Sequence, residues 1–270
     1  MRYLPLLFLF LAGCAAVTTP SPTPILPVAP TAVTPTASPT PLAPDTGWEA
    51  ARPGLERRVI RFFDADGRLI EHLYILRFDP ALYEFRVGYR PGEPLTLPEW
   101  QAETGALAVL NGGFFTEEFT ATGLVVVDGQ AGGASYGDFA GMFAVTAVGP
   151  EVRWLGTRPY DPNEPLRYAL QSFPMLVKPG GVPGYTEDGG EAARRTVVAQ
   201  DGDGRILFIL APRGRFTLTQ LSQTLAAADL NLDTAVNLDG GTSTGLILTD
   251  PPASIPAYTL LPTVILVVER

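Results

Sequence analysis

Two short apolar runs, each cut off by a polar residue and a pair of glycines, constrain this chain more than any other feature. The first is Ala108-Val109-Leu110-Asn111-Gly112-Gly113-Phe114-Phe115; the second is Val236-Asn237-Leu238-Asp239-Gly240-Gly241-Thr242-Ser243, an apolar stretch that begins at Thr234. Runs of this length read as buried strands, and paired glycines end them in a turn that needs φ > 0 or close backbone approach. Asp-Gly-Gly alone fits an ordinary tight turn, and Asn-Gly is the strongest short hairpin signal. In the first run two phenylalanines follow the glycines where a hairpin would place a second alternating strand, which weakens the hairpin reading. Side by side, two such strand ends would make a pocket floor carrying a carboxylate, an amide, hydroxyls and bare backbone N–H groups. Successive N–H groups in a turn form an anion-binding nest, which suits a phosphate-bearing ligand.

Most other segments also read as strands. Residues 57–63 and 69–78 flank Asp64-Ala65-Asp66-Gly67, and residues 196–199 and 206–210 flank Asp201-Gly202-Asp203-Gly204, both hairpin signals. The two acidic turns lack the closing glutamate and flanking helices of a calcium loop and are read as turns. Further strands are expected at 83–89, 107–110, 124–127, 143–148, 170–176 and 263–268. Only two helices stand out. One starts at Leu97, with Thr96 as cap and Pro98 in its first turn, and ends by Gly105. The other starts at Thr217 with Gln220 three residues on, a capping-box pattern, and Leu218, Leu221, Leu225 and Ala228 share one of its faces. Each helix leads into one of the glycine-ended strands, which suggests two pseudo-equivalent halves of one site. The fold class expected is α+β: a single domain of mixed, mostly antiparallel sheet with a few covering helices.

The N-terminus is of a different kind. Met1-Arg2 is a small positive region, residues 4–11 are apolar, and Leu11-Ala12-Gly13-Cys14 resembles a bacterial lipobox. The apolar stretch is far below the roughly 20 residues that span a bilayer, so residues 1–14 read as a cleaved lipoprotein signal with Cys14 acylated. Residues 15–45 are almost wholly Ala, Pro, Thr, Val and Ser, a composition that cannot pack and reads as a disordered tether. The implied location is extracytoplasmic, with membrane contact through the lipid anchor only. Residues 46–270 are long enough for one sizeable core and too short to require two.

Composition narrows the chemistry. A net charge of −9 and no basic cluster argue against nucleic acid. His72 is the one histidine and Cys14 the one cysteine, so a zinc site of usual composition is not expected, and a Ser-His-Asp triad would have to recruit His72. General acid–base work then falls to carboxylates, whose pKa values burial can raise.

Five segments occur in a telling order: Asn111-Gly112-Gly113-Phe114-Phe115, Thr122-Gly123 through Asp128-Gly129, Gln171-Ser172-Phe173-Pro174-Met175, Arg194-Arg195-Thr196, and Asn237-Leu238-Asp239-Gly240-Gly241-Thr242-Ser243. Together they resemble the phosphodiester glycosidase domain family over residues 70–270. One departure is that the family often has Gly-Pro where this chain has Phe173-Pro174. The resemblance implies a hydrolase acting on a carbohydrate phosphodiester, and it leaves open whether the C–O or the P–O bond breaks.

On that reading Asp239 is the principal catalytic carboxylate, as acid–base or nucleophile at a sugar C1, although as a turn former it could simply bond its own backbone. Arg195 is the expected phosphate clamp, since a guanidinium matches phosphate bidentately, and Arg194 should point to the other face of its strand. Asn111 would hold sugar hydroxyls or a phosphate oxygen. Gly112, Gly113, Thr196, Gly240, Gly241, Thr242 and Ser243 complete the candidate binding set, with Gln171 as a further polar contact. Phe114 and Phe115 either divide between sugar stacking and the core or both enter the core. A second carboxylate is expected for glycoside chemistry; Glu117, Glu118 and Asp138 are candidates by proximity alone. No cofactor is required, and a divalent cation on Asp239 is conceivable but demanded by no spacing. The competing reading is a lipoprotein that grips anionic cell-envelope glycans and catalyses nothing.

Overall fold

The computed structural model describes residues 42–187 and 190–270. In chain order the elements are β1 (Glu49–Arg52), β2 (Leu55–Phe63), β3 (Leu69–Phe78), β4 (Tyr83–Tyr89), α1 (Leu97–Thr104) and β5 (Ala108–Asn111). Next come β6 (Val125–Val127), β7 (Gln130–Gly132), β8 (Gly141–Val145), β9 (Pro150–Trp154), β10 (Tyr168–Ser172), β11 (Met175–Lys178) and β12 (Val182–Pro183). They are followed by β13 (Ala193–Asp201), β14 (Ile206–Phe216), α2 (Leu218–Ala227), β15 (Leu232–Asn237), β16 (Leu246–Leu248), β17 (Ala253–Ile255) and β18 (Thr263–Glu269).

The local signals that made these elements are visible in their ends. Thr96 and Thr217 cap α1 and α2 in capping boxes with Glu99 and Gln220. Gly105 closes α1 in the left-handed region, its N–H donating to the Gln101 carbonyl. Both acidic turns fold back on a single aspartate. Asp64 accepts from the N–H of Asp66 and Arg68, and Asp201 from those of Asp203 and Arg205, so these carboxylates serve their own hairpins.

Eight strands make one sheet in the order β1-β2-β3-β14-β13-β15-β11-β12, five make a second (β7-β6-β10-β8-β9) and five a third (β17-β16-β5-β18-β4). Because side chains alternate along a strand, each sheet turns one face to a shared core. Leu76, Val198, Phe208 and Val236 enter it from the first sheet, Val125, Phe143 and Leu170 from the second, and Leu110, Ile265 and Val267 from the third. The alternate residues build outer layers. Leu73, Ile75, Val197 and Ile209 pack beneath Leu221 and Leu225 of α2. Val109, Val264 and Leu266 pack beneath Leu97 and Trp100 of α1, and Trp100 Nε1 donates to the Leu261 carbonyl at 2.8 Å.

The α+β expectation needs correcting towards β. Two helices accompany eighteen strands among the described residues, and every strand pairing described is antiparallel. Strands such as β6, β7, β16 and β17 are three residues long, too short to display alternation in sequence. The expected strand at 170–176 is in fact two, because Pro174 has no N–H for a ladder; β10 pairs in the second sheet and β11 in the first.

Residues Leu42–Arg270 form one compact unit. The last residues read as tether belong to it. Arg58 binds Asp45 through two nitrogens at 2.9 and 2.6 Å, and Arg61 donates to the Ala43 carbonyl at 2.7 Å. Cys14, the leader and the tether as far as residue 41 lie outside the described residues. No helix among the described residues is long and apolar enough to cross a membrane.

Candidate active site

The ends of β5 and β15, which belong to different sheets, meet. Asp239 donates its backbone N–H to the Gly112 carbonyl at 3.1 Å, and Asn111 Nδ2 donates to the Asp239 carbonyl at 2.8 Å. Asn111 is wholly buried. Its Nδ2 also reaches the Gly112 carbonyl, while its Oδ1 accepts from Thr196 Oγ1 at 2.8 Å and the Gly245 N–H at 3.1 Å. All of its polar side-chain atoms are therefore bonded within the protein, and Asn111 with Thr196 is the brace that locks the two strand ends together.

The glycines permit this closeness. A Cβ on Gly112 would sit 2.4 Å from Thr263 Oγ1, one on Gly113 would sit 2.9 Å from the Gln171 carbonyl, and one on Gly240 would sit 2.7 Å from the Arg194 carbonyl. Gly241 has open space around it but a φ of +58°, which a side chain rarely adopts. The expected backbone nest is modified. Gly240 N–H bonds the Asp239 carboxylate at 2.8 Å and Gly241 N–H bonds the Arg194 carbonyl at 2.9 Å, so the turn uses both donors internally. Thr242 is exposed and Ser243 buried.

Asp239 is half-buried, and its carboxyl is pushed above the ordinary aspartate range by loss of water, against the pull of the Ser243 hydroxyl and the Gly240 N–H. No arginine or lysine among the described residues forms an ion pair with it. Arg195 stands on the neighbouring strand. The register Val197↔Asn237, carried two residues further, sets Arg195 opposite Asp239, and its Nη1 lies 3.8 Å from where a Gly240 Cβ would be. Its other nitrogens donate to the carbonyls of Phe216 and Glu191. Burial lowers its pKa from the usual arginine value, with Tyr185 acting in the opposite sense. Arg194 goes elsewhere, to the carbonyls of Pro212 and Pro256 and over the ring of Tyr258.

Gln171 is buried, and its amide is taken up by the loop before β8. Its Oε1 accepts from the Tyr136 N–H at 2.7 Å and its Nε2 donates to Ser135 Oγ at 3.0 Å. That hold sets Tyr136 in an aromatic wall. Phe173 sits at its centre, with Phe114, Tyr136 and Phe139 at ring separations of 4.7, 5.2 and 5.6 Å. Phe115 stacks instead on Phe119. Of the candidate second carboxylates, Glu117, Glu118 and Asp138 are all exposed. His72 stands mid-strand in β3 beside Arg61, burial lowering its pKa.

Two further residues share the site and carried no assigned role in the sequence reading. Asn237 donates to the Phe173 carbonyl at 2.9 Å while its Oδ1 is buried without a protein partner, and the Ser172 hydroxyl is in the same position. Both fall inside the motifs, but only the fold turns them towards Phe173 and Gly113. A groove of about 510 Å³ opens from Phe173 and is lined further along by Phe139, Trp154, Lys178, Tyr185 and Glu187. A second cavity, of about 480 Å³, lies by Tyr83, Arg167 and Arg270 and contains none of the motif residues. Among the described residues no group of three or more His, Cys, Asp or Glu side chains is placed to hold a metal ion.

The family model for phosphodiester glycosidases matches residues 104–268, a span that contains both strand ends, Arg195 and the aromatic wall. The chain belongs to the phosphodiester glycosidase family. Its fold is similar to that of the zebrafish N-acetylglucosamine-1-phosphodiester alpha-N-acetylglucosaminidase catalytic domain, auto-inhibited by its pro-peptide: 20% identity over 82% of this chain and 86% of that one, TM-score 0.65. It is also similar to a hypothetical protein from Synechocystis, at 15% identity over 81% of this chain and 62% of that one, TM-score 0.58. At these identities the likeness is one of fold. No curated protein matches the sequence.

Proposed function

We propose that this phosphodiester glycosidase hydrolyses a sugar 1-phosphodiester at C1, with Asp239 as general base, and that the Leu11-Ala12-Gly13-Cys14 leader tethers it to an extracytoplasmic membrane surface. The observation that carries the reading is the desolvated Asp239 carboxyl at the Gly240 turn, with the half-buried Arg195 guanidinium beside that turn on the neighbouring strand. A carboxylate with a raised pKa is a better proton acceptor than a solvated one.

In the proposed step water attacks C1 and its proton passes to Asp239. The C1–O bond breaks with its electron pair going to the phosphate oxygen. Phosphate is a far better leaving group than a sugar alcohol, the second ionisation of a phosphomonoester lying near pH ~6, so departure needs charge stabilisation more than a proton. Arg195 supplies that charge, with the exposed Thr242 hydroxyl as a further donor, while the Ser243 hydroxyl holds the Asp239 carboxylate. One carboxylate then suffices, which agrees with Glu117, Glu118 and Asp138 all pointing to solvent. Asn111 and Thr196 position Asp239, and Phe114 and Phe173 offer the sugar an apolar face.

Hydrolysis in H₂¹⁸O tests the assignment. The label is expected in the released sugar, whose anomeric configuration is inverted. Label in the phosphate would show P–O cleavage and overturn it. Saturable binding of anionic glycans with no turnover of any sugar 1-phosphodiester would favour the non-catalytic binding module.

A further inference from the structure

Beyond the Phe173 ring, the groove that opens from it has no part in the step just described. It starts at the site itself, since the Phe173 ring packs on Phe114 and its carbonyl accepts from Asn237. It then follows β11. That strand runs antiparallel to β15, with Met175 opposite Val236 and Val177 opposite Ala235, so each step along it leads away from Asp239. From Met175 to Lys178 the strand rises about 10 Å beyond Phe173 and Pro174, longer than a single sugar ring.

The groove walls are chemically specific. Phe139 is 56% exposed although it belongs to the aromatic wall, and Tyr185 also lines the groove. Flat apolar rings with open faces suit the C–H faces of sugars better than they suit water. At the far end the Lys178 ammonium rests over the Trp154 ring, 4.5 Å from its centroid. The indole is fixed there, its Nε1 donating to the Asp138 carbonyl at 2.7 Å. Among the described residues no carboxylate comes within 4 Å of Lys178, and Glu187, the acid that shares the groove, is bonded to the Tyr185 hydroxyl. A cation held on an aromatic ring and left without an acidic partner is a ready contact for an anion.

We infer that this groove is a second subsite, which takes the next sugar-phosphate repeat of a glycosyl-phosphate chain, its phosphate on Lys178 and its sugar against Phe139 and Tyr185. The inference rests on the reading of Asp239 and Arg195 as the cleavage site. It goes beyond that reading in making the substrate a polymer and not a single small phosphodiester.

The test measures binding separately from turnover. Calorimetric titrations of the full chain, in an Asp239→Asn background, use the methyl phosphodiester of N-acetylglucosamine 1-phosphate, which holds one repeat, and the phosphodiester-linked N-acetylglucosamine 1-phosphate dimer, which holds two. The dimer is expected to bind about tenfold tighter than the methyl ester, the gain of one charge-assisted contact. Lys178→Ala should remove that advantage without altering methyl-ester affinity, Lys178→Arg should restore it, and Phe139→Ala should reduce it several-fold. Equal affinity for the two lengths, no binding of either, or equal weakening of both by Lys178→Ala would overturn the subsite. Turnover of the dimer by the wild-type chain is read independently. If the dimer is bound but never cleaved while the Lys178-dependent length effect persists, the catalytic reading fails and the groove stands.

Discussion

At the end of β5 Asn111 is wholly buried, and every polar atom of its side chain is bonded to protein. At the end of β15 Asp239 keeps part of its surface in solvent, and its carboxyl is held high by burial with no cationic partner in contact. The two strand ends are written almost alike, as apolar residues, a polar residue and two glycines, and the sequence suggested equivalent halves. The structure makes them unequal: one is a brace and the other the working end. An amide and a carboxylate of nearly the same shape differ in what can be left unsatisfied. The Asn111 amide finds a partner for each of its polar atoms in a dry site, whereas the acid keeps part of its surface open. The glycines follow the same division, Gly112 giving room for Thr263 to pack and Gly241 giving a backbone angle.

The sharpest way to break this comparison is to make the two ends alike. Asp239→Asn should lower kcat by about 10³-fold, within the range for removing a general base. It should also stabilise the fold at neutral pH. A carboxyl whose folded pKa is raised favours the folded state while protonated, and that contribution is lost as pH rises through the folded value. Wild-type Asp239 therefore costs stability at neutral pH, and the melting temperature of the Asn variant should exceed it there, the gap closing below the ordinary aspartate pKa. A variant that is both inactive and less stable at pH 7 would mean that Asp239 is structural.

Asn111→Ala should act the other way, costing about 3 kcal/mol in denaturant unfolding because it orphans the Thr196 hydroxyl, the Gly245 N–H and two carbonyls. An unchanged midpoint would deny Asn111 its role as brace. Gly112→Ala comes next at about 2 kcal/mol, from overpacking against Thr263. The smallest effect is expected of Gly241→Ala, about 1 kcal/mol for holding alanine at positive φ with nothing to clash against. If Gly241→Ala proved the costlier of the two in the same unfolding series, the packing argument for the first strand end would fail.

Much of this was legible before the fold was known, and the limits have physical causes. Both helices announce themselves through threonine caps and their partners three residues on, because capping is local. Long strands such as β3 and β4 fall where alternation put them, residues 69–78 and 83–89. The motifs named the residues that meet, and Asn111, Thr196 and Asp239 do converge. What sequence could not supply was non-local pairing. Nothing in Leu246–Leu248 says that it lies beside β5, or that β5 and β15 belong to separate sheets. Nor could composition distinguish a saturated amide from a free one. Gln171 looked like a substrate contact because it is polar at a strand end, but its amide is consumed by Ser135 and Tyr136. The glycine N–H groups looked like a nest until the turn used them.

The most direct test of the central claim is the release of free sugar from a panel of sugar 1-phosphodiesters, UDP-N-acetylglucosamine among them, by the full chain and its Asp239→Asn variant. The account predicts that the wild type releases sugar from at least one member and that the variant, folded and at least as stable, releases about 10³-fold less. Release undiminished in the variant, or none from any member by a folded wild type, would contradict it.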